Sequence, residues 1–98
     1  MSEHVTLPEP LGVHIERLIV ALQTSVTAEE ASAGWDQSLK ARWADWFVNL
    51  RADLGRGNET PPGWGILRAM DFDGVSDSAL AKQASAIGRL IDEWKPPA

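Results

Sequence analysis

The stretch RWADWFVNLRADL, from Arg42 to Leu54, brings three large aromatic rings into five consecutive positions. At about 100° per residue, these rings fall on one arc of roughly 120° together with neighbouring apolar side chains. The full set on that arc is Trp35, Leu39, Trp43, Trp46, Phe47, Leu50 and Leu54. Such a stripe is typical of a helix that faces a hydrophobic core, whereas an aromatic box for a ligand cation would need open ring surface. The sequence therefore predicts a helix from Trp35 to Leu54, ended by Gly55 as a left-handed C-cap.

Two further amphipathic helices flank this central one. Pro10 suits a first turn, and the apolar spacing predicts a helix from Leu11 to about Thr24. The last helix is expected to begin at Ser76 or Asp77 as its N-cap and to run to about Trp94. The inward positions are Leu11, Ile15, Leu18, Ile19 and Leu22 in the first helix, and Leu80, Ala84, Ile87, Ile91 and Trp94 in the last, with Leu90 at the edge.

Short segments connect the main helices. TAEE, residues 27–30, is a capping-box sequence whose helix either continues through Gly34 or breaks there with a new start near Asp36. A short helix over residues 65–70 is expected to turn Ile66, Leu67 and Met70 inward, and DFDG, residues 71–74, indicates a turn. Two oppositely charged pairs one turn apart are expected on solvent-exposed faces, namely Asp36 with Lys40 and Arg89 with Glu93.

The fold class follows from these elements. No stretch of useful length alternates as a β-strand does, and 98 residues without cysteine must be stabilised by one hydrophobic core. We predict an all-α protein, a small irregular antiparallel helical bundle of three main helices plus one or two short helical segments. Residues 1–9 are expected to be a flexible N-terminal lead-in, residues 10–95 a single helical domain, and residues 96–98 a C-terminal tail.

Composition and motifs exclude several function classes. The net charge of −5 opposes binding to nucleic acid and to anionic membrane surfaces. No signal peptide or membrane span is recognisable, so we expect a cytoplasmic protein. Neither His4 nor His14 has neighbours at metal-ligand spacing, and the Asp71–Asp77 segment lacks the glutamate that a calcium loop needs at its twelfth position. With no catalytic motif either, we expect no enzyme activity, no cofactor and no metal.

The loop GRGNETPPGWG, residues 55–65, carries the candidate partner-binding residues, because long surface loops often carry function. Trp64 is either a plug that closes one end of the bundle or an exposed anchor for a partner. The residues predicted to bind a partner are Arg56, Asn58, Glu59, Trp64 and Arg68. The predicted function is that of a small acidic protein-binding module, which masks a partner as an immunity protein, antitoxin or adaptor does.

Two alternatives remain open at this point. One is a bundle that binds a small molecule in a pocket lined by Trp43, Trp46 and Trp94. The other concerns Val13 and Val20, which project opposite to the apolar stripe of the first helix. Either that helix is sandwiched between others, or these two valines form the interface of a homodimer.

Overall fold

The structure is a computed structural model that describes residues 7–58, 63–75 and 77–94, apart from the side chain of Trp64. The described residues form five helices, which are α1 (Glu9–Gln23), α2 (Ala28–Ser32), α3 (Gln37–Gly55), α4 (Gly63–Phe72) and α5 (Ala79–Glu93). No strand occurs in these three ranges. The predicted all-α class is therefore confirmed, with three long helices and two shorter ones.

The core lies where α1 packs against α3 and α5, and α4 packs against α5. All five predicted inward positions of α1 are buried, as are Leu80, Ala84, Ile87 and Ile91 of α5. Val13 and Val20, on the opposite side of α1, are 37% and 56% exposed. The sandwiched arrangement of α1 is therefore wrong, because α3 and α5 cover only its inner stripe.

The aromatic stripe of α3 faces this core. Trp43 and Phe47 are buried, and Trp46 is half-buried at the edge. The ring centroids of Trp46 and Phe47 are 5.0 Å apart in an edge-to-face arrangement, which is a favoured geometry for aromatic pairs. Trp35 is buried too, but it precedes the helix rather than belonging to it, because Asp36 is the N-cap of α3.

Glycines in the left-handed region end α2 and α3. Gly34 has φ +99°, and the next amide, that of Trp35, donates to the Glu30 carbonyl, so the chain breaks at Gly34 before α3 begins. The predicted C-cap at Gly55 is wrong, because Gly55 is still helical. Gly57 has φ +73° instead, and its amide donates to the Leu54 carbonyl. α3 therefore ends one residue later than predicted, and Leu54 is buried in its last turn.

The predicted place of Lys40 on a solvent-exposed face beside Asp36 is also wrong. Lys40 is fully buried, and its Nζ lies 2.7 Å from Glu30 Oε1 and 3.3 Å from the Ser25 carbonyl. Asp36 instead accepts a hydrogen bond from the Leu39 amide as the N-cap of α3. The capping box at Thr27 and Glu30 is confirmed in both directions, so α2 presents the Glu30 carboxylate to α3.

The second half of the chain departs from prediction at three helix boundaries. α4 begins two residues earlier than expected and continues through Phe72, so the DFDG turn is confined to Asp73 and Gly74. α5 begins after Ser78, whose Oγ accepts a hydrogen bond from the Ala81 amide, and not after Ser76 or Asp77. Leu67, predicted to face inward, is 38% exposed.

Candidate protein-binding face

A close crossing of two glycines fixes the start of α4 on α5. The Gly63 amide donates to Asp92 Oδ1 at 2.8 Å, so the Asp92 carboxylate provides an acceptor for one of the backbone N–H groups that lack an intrahelical partner at the helix start. A Cβ atom at Gly63 would lie only 2.0 Å from the Gly88 carbonyl oxygen, and one at Gly88 would lie 2.7 Å from the Gly63 oxygen. Side chains at either position would therefore force the two helices apart.

A Schellman motif fixes the other end of α4. Gly74 has φ +77° and donates from its amide to the Asp71 carbonyl, while the Val75 amide donates to the Met70 carbonyl. Val75 is fully buried, as the residue after the glycine in this motif often is. The chain therefore leaves α4 in one defined direction.

Two tryptophans of the core hold the connection between α4 and α5. Trp43 Nε1 donates to Asp73 Oδ2 at 2.9 Å, and Arg42 Nη2 lies 3.3 Å from the other oxygen of the same carboxylate. Trp35 Nε1 donates to Ser78 Oγ at 3.1 Å, and that hydroxyl donates onward to the Val75 carbonyl. Each of the two indole N–H groups thus has a hydrogen-bond acceptor, as buried indoles usually do, and both acceptors lie in the connection between α4 and α5.

With Ile66 and Met70 fully buried, the opposite side of α4 points outward. We define the α4 face as Leu67, Arg68, Asp71 and Phe72, which span an arc of about 140°. Phe72 is 84% exposed, the largest exposed fraction among the large hydrophobic side chains of the described residues. Phenylalanine and arginine are both enriched at protein interfaces relative to the rest of the surface.

A shallow cleft of about 220 Å³ adjoins the α4 face where α4 meets α5. Its walls are Gly63, Leu67, Ser85, Arg89 and Asp92. Arg68 and Arg89 are both exposed, and neither forms an ion pair with another residue in the described ranges. The predicted pairing of Arg89 with Glu93 is therefore wrong, and both guanidinium groups are open to a partner.

The structure places the predicted partner-binding residues as follows. Arg68 lies on the α4 face, while Arg56 and Asn58 are exposed at the end of α3. One N–H of the Asn58 side-chain amide already forms a hydrogen bond within the chain, because Nδ2 donates to Asp53 Oδ1 at 3.2 Å. Glu59 and the side chain of Trp64 lie outside the described residues, so whether Trp64 is a plug or an anchor stays a prediction.

Sequence reasoning missed Phe72 and Leu67 as exposed residues. The DFDG sequence predicts a turn at Phe72, and a turn gives its side chain no helical direction. Extending the helix by two residues would have placed it well away from Ile66 and Met70. The spacing of Phe72 from Ile66 and Met70 indicates that its ring is exposed, but only if α4 is taken to continue through Phe72.

The three rings of the predicted small-molecule pocket do not share a cleft among those described. Trp43 is only 5% exposed, and its N–H is bonded to Asp73. Trp46 lines a cleft with Asn49, Leu50 and Asp53. Trp94 lines a different one, whose other walls are Pro8, Pro10, Leu11, Leu90 and Glu93.

The described ranges contain neither a candidate metal cluster nor a membrane-spanning helix. No group of three or more His, Cys, Asp or Glu side chains there could hold a metal ion. Asp73 accepts from Trp43 and pairs with Arg42, and His14 is exposed, whereas His4 lies outside the described residues. No helix among these residues has the length and apolar character needed to cross a membrane.

Comparison with known proteins gives no relative from which a role could be transferred. No family model, curated protein or solved structure matches this chain. The chemistry of its own surface is therefore the basis for proposing a function.

Proposed function

We propose that this protein is a non-enzymatic binding module that docks on another protein through the α4 face. The observation that carries this proposal is the exposure of Phe72, 84% of whose surface is open to solvent. Burying a phenylalanine ring fully is worth about 1.5–3 kcal/mol, so an unpartnered ring of this size is a large source of binding free energy.

The rigidity of α4 supports the same proposal. Single exposed hydrophobic residues are common and need no explanation. Here, however, Leu67 and Phe72 border Arg68 on a helix that is held at both ends, at Gly63 and at Gly74. Association with a preorganised surface costs less ordering entropy than association with a mobile loop.

The mode of action that we propose is masking. A binding module with no catalytic group of its own acts by occupying its partner's surface, as immunity proteins, antitoxins and adaptors do. The absence of cysteine is compatible with a reducing compartment, and we propose that the protein acts in the cytoplasm.

The test compares two variants that each remove an exposed apolar side chain, Phe72→Ala on α4 and Val20→Ala on α1. Tagged full-length protein captures partners from the native lysate, and each captured protein is then purified and its Kd measured directly. We expect one partner to bind the parent and Val20→Ala alike. Phe72→Ala should weaken its binding by about 10- to 150-fold, the factor for a loss of about 1.5–3 kcal/mol.

Retention of the partner by Phe72→Ala would refute the proposed face. A third variant, Trp64→Ala, tests the predicted loop site in the same assay, with circular dichroism to show that the variant folds. If binding is lost only with Trp64→Ala, the site lies on the loop and not on the α4 face.

A homodimer through α1 is the second candidate, and the exposure of Val13 and Val20 favours it. The two valines are seven residues apart, so they lie on the same side of the helix. If this candidate is correct, light scattering should give twice the monomer mass for the parent and the monomer mass for Val20→Lys. A monomeric parent at high concentration would exclude it.

A further inference from the structure

A cleft of about 250 Å³ lies between the start of α1 and the end of α5. Pro8, Pro10, Leu11, Leu90 and the Trp94 ring form apolar walls, and Glu93 supplies a carboxylate. Leu11 is only 1% exposed and forms the floor, while Leu90 and Trp94 are half-buried. The cleft is smaller than the roughly 300–1,000 Å³ of pockets that enclose whole ligands, so it suits a single side chain.

The charged residues that the structure describes at this cleft are acidic. Glu93 is exposed and forms no ion pair with any residue in the described ranges, and none of the described residues that line the cleft is cationic. Glu9, which lies in sequence between the two prolines, is exposed and likewise forms no ion pair there. An incoming cation would therefore meet, beside an apolar wall, carboxylates that no described residue neutralises.

The ends of the two helices contribute in opposite directions. The C-terminus of α5 carries partial negative charge, and its last turn has no basic residue of its own. The N-terminus of α1 carries partial positive charge, but Glu9 in its first turn offsets it. The balance at the cleft favours a cation on the α5 side, next to Glu93.

Trp94 differs from the two tryptophans that hold the α4–α5 connection. The indoles of Trp35 and Trp43 donate to Ser78 and Asp73, whereas the Trp94 indole has no hydrogen-bond acceptor among the described residues. Its half-buried ring is therefore available for contact with an alkyl chain and a cation. Cation–π contacts at such partly exposed sites are worth about 0.5–1 kcal/mol.

We propose that this cleft binds the side chain of a lysine presented by a partner protein. The alkyl stem would lie against Pro8, Leu90 and Trp94, and the ammonium group would approach Glu93. Lysine has this shape, because its charged end is carried on an apolar four-carbon stem. The cleft is separate from the α4 face, so it would add a second contact or act independently of the first.

The test uses a small probe that carries only this side chain, N-acetyl-lysine N-methylamide. Its control is N-acetyl-norleucine N-methylamide, which has an alkyl side chain without the ammonium group. Binding is followed in the full-length protein by NMR from the indole N–H signals, and Trp94→Phe identifies the signal of Trp94. We expect the lysine probe to shift that signal in a saturable manner and the norleucine probe to bind more weakly.

Charge variants separate recognition from a general attraction to an acidic protein. Glu93→Gln keeps the shape and should weaken binding about two- to fivefold, the factor expected for a partly exposed charge pair. Glu29→Gln removes the same charge from α2, where Glu29 is exposed and forms no ion pair within the described residues, and should leave binding unchanged.

Three results would overturn the proposal. The first is equal binding of the lysine and norleucine probes, and the second is an equal effect of Glu93→Gln and Glu29→Gln. The third concerns Lys95, which follows Trp94 and lies outside the described residues. If the probe binds Lys95→Ala but not the parent, the occupant of the cleft is this chain's own lysine and not a partner's. None of these outcomes depends on the α4 face, which has its own test.

Discussion

The buried contact between Lys40 and Glu30 gives the sharpest prediction about stability. Lys40 is 0% exposed, and the side chain of Glu30 is 16% exposed. Besides Glu30 Oε1, the ammonium group contacts the Ser25 carbonyl at 3.3 Å, whereas the Glu30 carboxylate also accepts from the Thr27 amide. The Lys40 ammonium group therefore needs the Glu30 carboxylate more than the carboxylate needs the ammonium group, because only the carboxylate has access to water.

This asymmetry predicts unequal costs for the two single substitutions. Removing one partner of a fully buried pair costs about 3–5 kcal/mol, because it leaves an uncompensated charge. Glu30→Gln keeps a capping-box residue but leaves the Lys40 ammonium with neutral acceptors, and we expect about 3 kcal/mol of destabilisation. Lys40→Met fills the same space without a charge and leaves a carboxylate that water reaches, so we expect about 1 kcal/mol or less.

The assay is urea unfolding followed by circular dichroism at pH 7, with Glu29→Gln as a control for loss of an exposed charge on α2. The double variant Glu30→Gln with Lys40→Met should be more stable than Glu30→Gln alone, because the buried charge is gone. If Lys40→Met costs as much as Glu30→Gln, or if the double variant is the least stable, the reasoning from unequal burial is refuted.

The same contact makes stability depend on acid. Burial raises the pKa of Glu30. The hydrogen bond from Lys40, the hydrogen bond from the Thr27 amide and the positive charge of Lys40 together lower this pKa by a larger amount, so it lies below its ordinary value of 4.5. A carboxyl group with a lowered pKa in the folded state contributes stability above 4.5 and loses it as the pH falls through the folded value. The parent should therefore lose more stability than Lys40→Met when the pH falls below 4.5. Equal slopes for the two proteins in that range would contradict this.

Three further predictions concern packing and turns, and each is checked by urea unfolding. Gly88→Ala should destabilise by about 1–3 kcal/mol because its Cβ would meet the Gly63 carbonyl at 2.7 Å, whereas Gly12→Ala, with open space around it, should stabilise by about 0.4–1 kcal/mol. If Gly88→Ala were more stable than Gly12→Ala, the crossing of α4 and α5 at Gly63 and Gly88 would not be tight. Trp35→Phe should cost about 1–2 kcal/mol and couple to Ser78→Ala in a double-mutant cycle, and additive effects would exclude their hydrogen bond. Gly74→Ala should cost about 1–2 kcal/mol through its positive φ alone, since no atom would lie within 4 Å of the new Cβ; an unchanged midpoint would contradict this.

The helical periodicity was sufficient to predict the three long helices and most of the core. Every residue of the predicted α1 stripe is buried, because apolar side chains at helical spacing share one face of the helix and leave water together when that face packs on the core. Helix ends were harder to predict. Gly55 and Gly57 are both residues that could end α3, and the local sequence does not distinguish them; in the structure Gly55 is helical and Gly57 has φ +73°.

Lys40 shows a limit of a different kind. Its position one turn after Asp36 fits an exposed helical pair, and lysine is seldom fully buried. The side chain is buried because the break at Gly34 allows α2 to bring Glu30 next to α3. Nothing in the local pattern indicates where a five-residue helix will lie relative to its neighbour.

The α4 face could be predicted only in part for the same reason. Arg68 was a predicted partner-binding residue, and it is exposed on that face. Phe72 was not predicted, because its exposure depends on where α4 ends, and that end is set by Gly74 and by the connection that follows it.

The tryptophans that first suggested a binding box bear on function through this connection. Trp43 and Trp35 bury their rings in the core, yet their N–H groups reach Asp73 and Ser78, on either side of Val75. These two hydrogen bonds tie the chain that follows Phe72 to α3 and to the segment before it. Buried tryptophans can therefore belong to the core and still influence the α4 face. They do so by holding the segment that follows Phe72, the exposed ring at the end of α4.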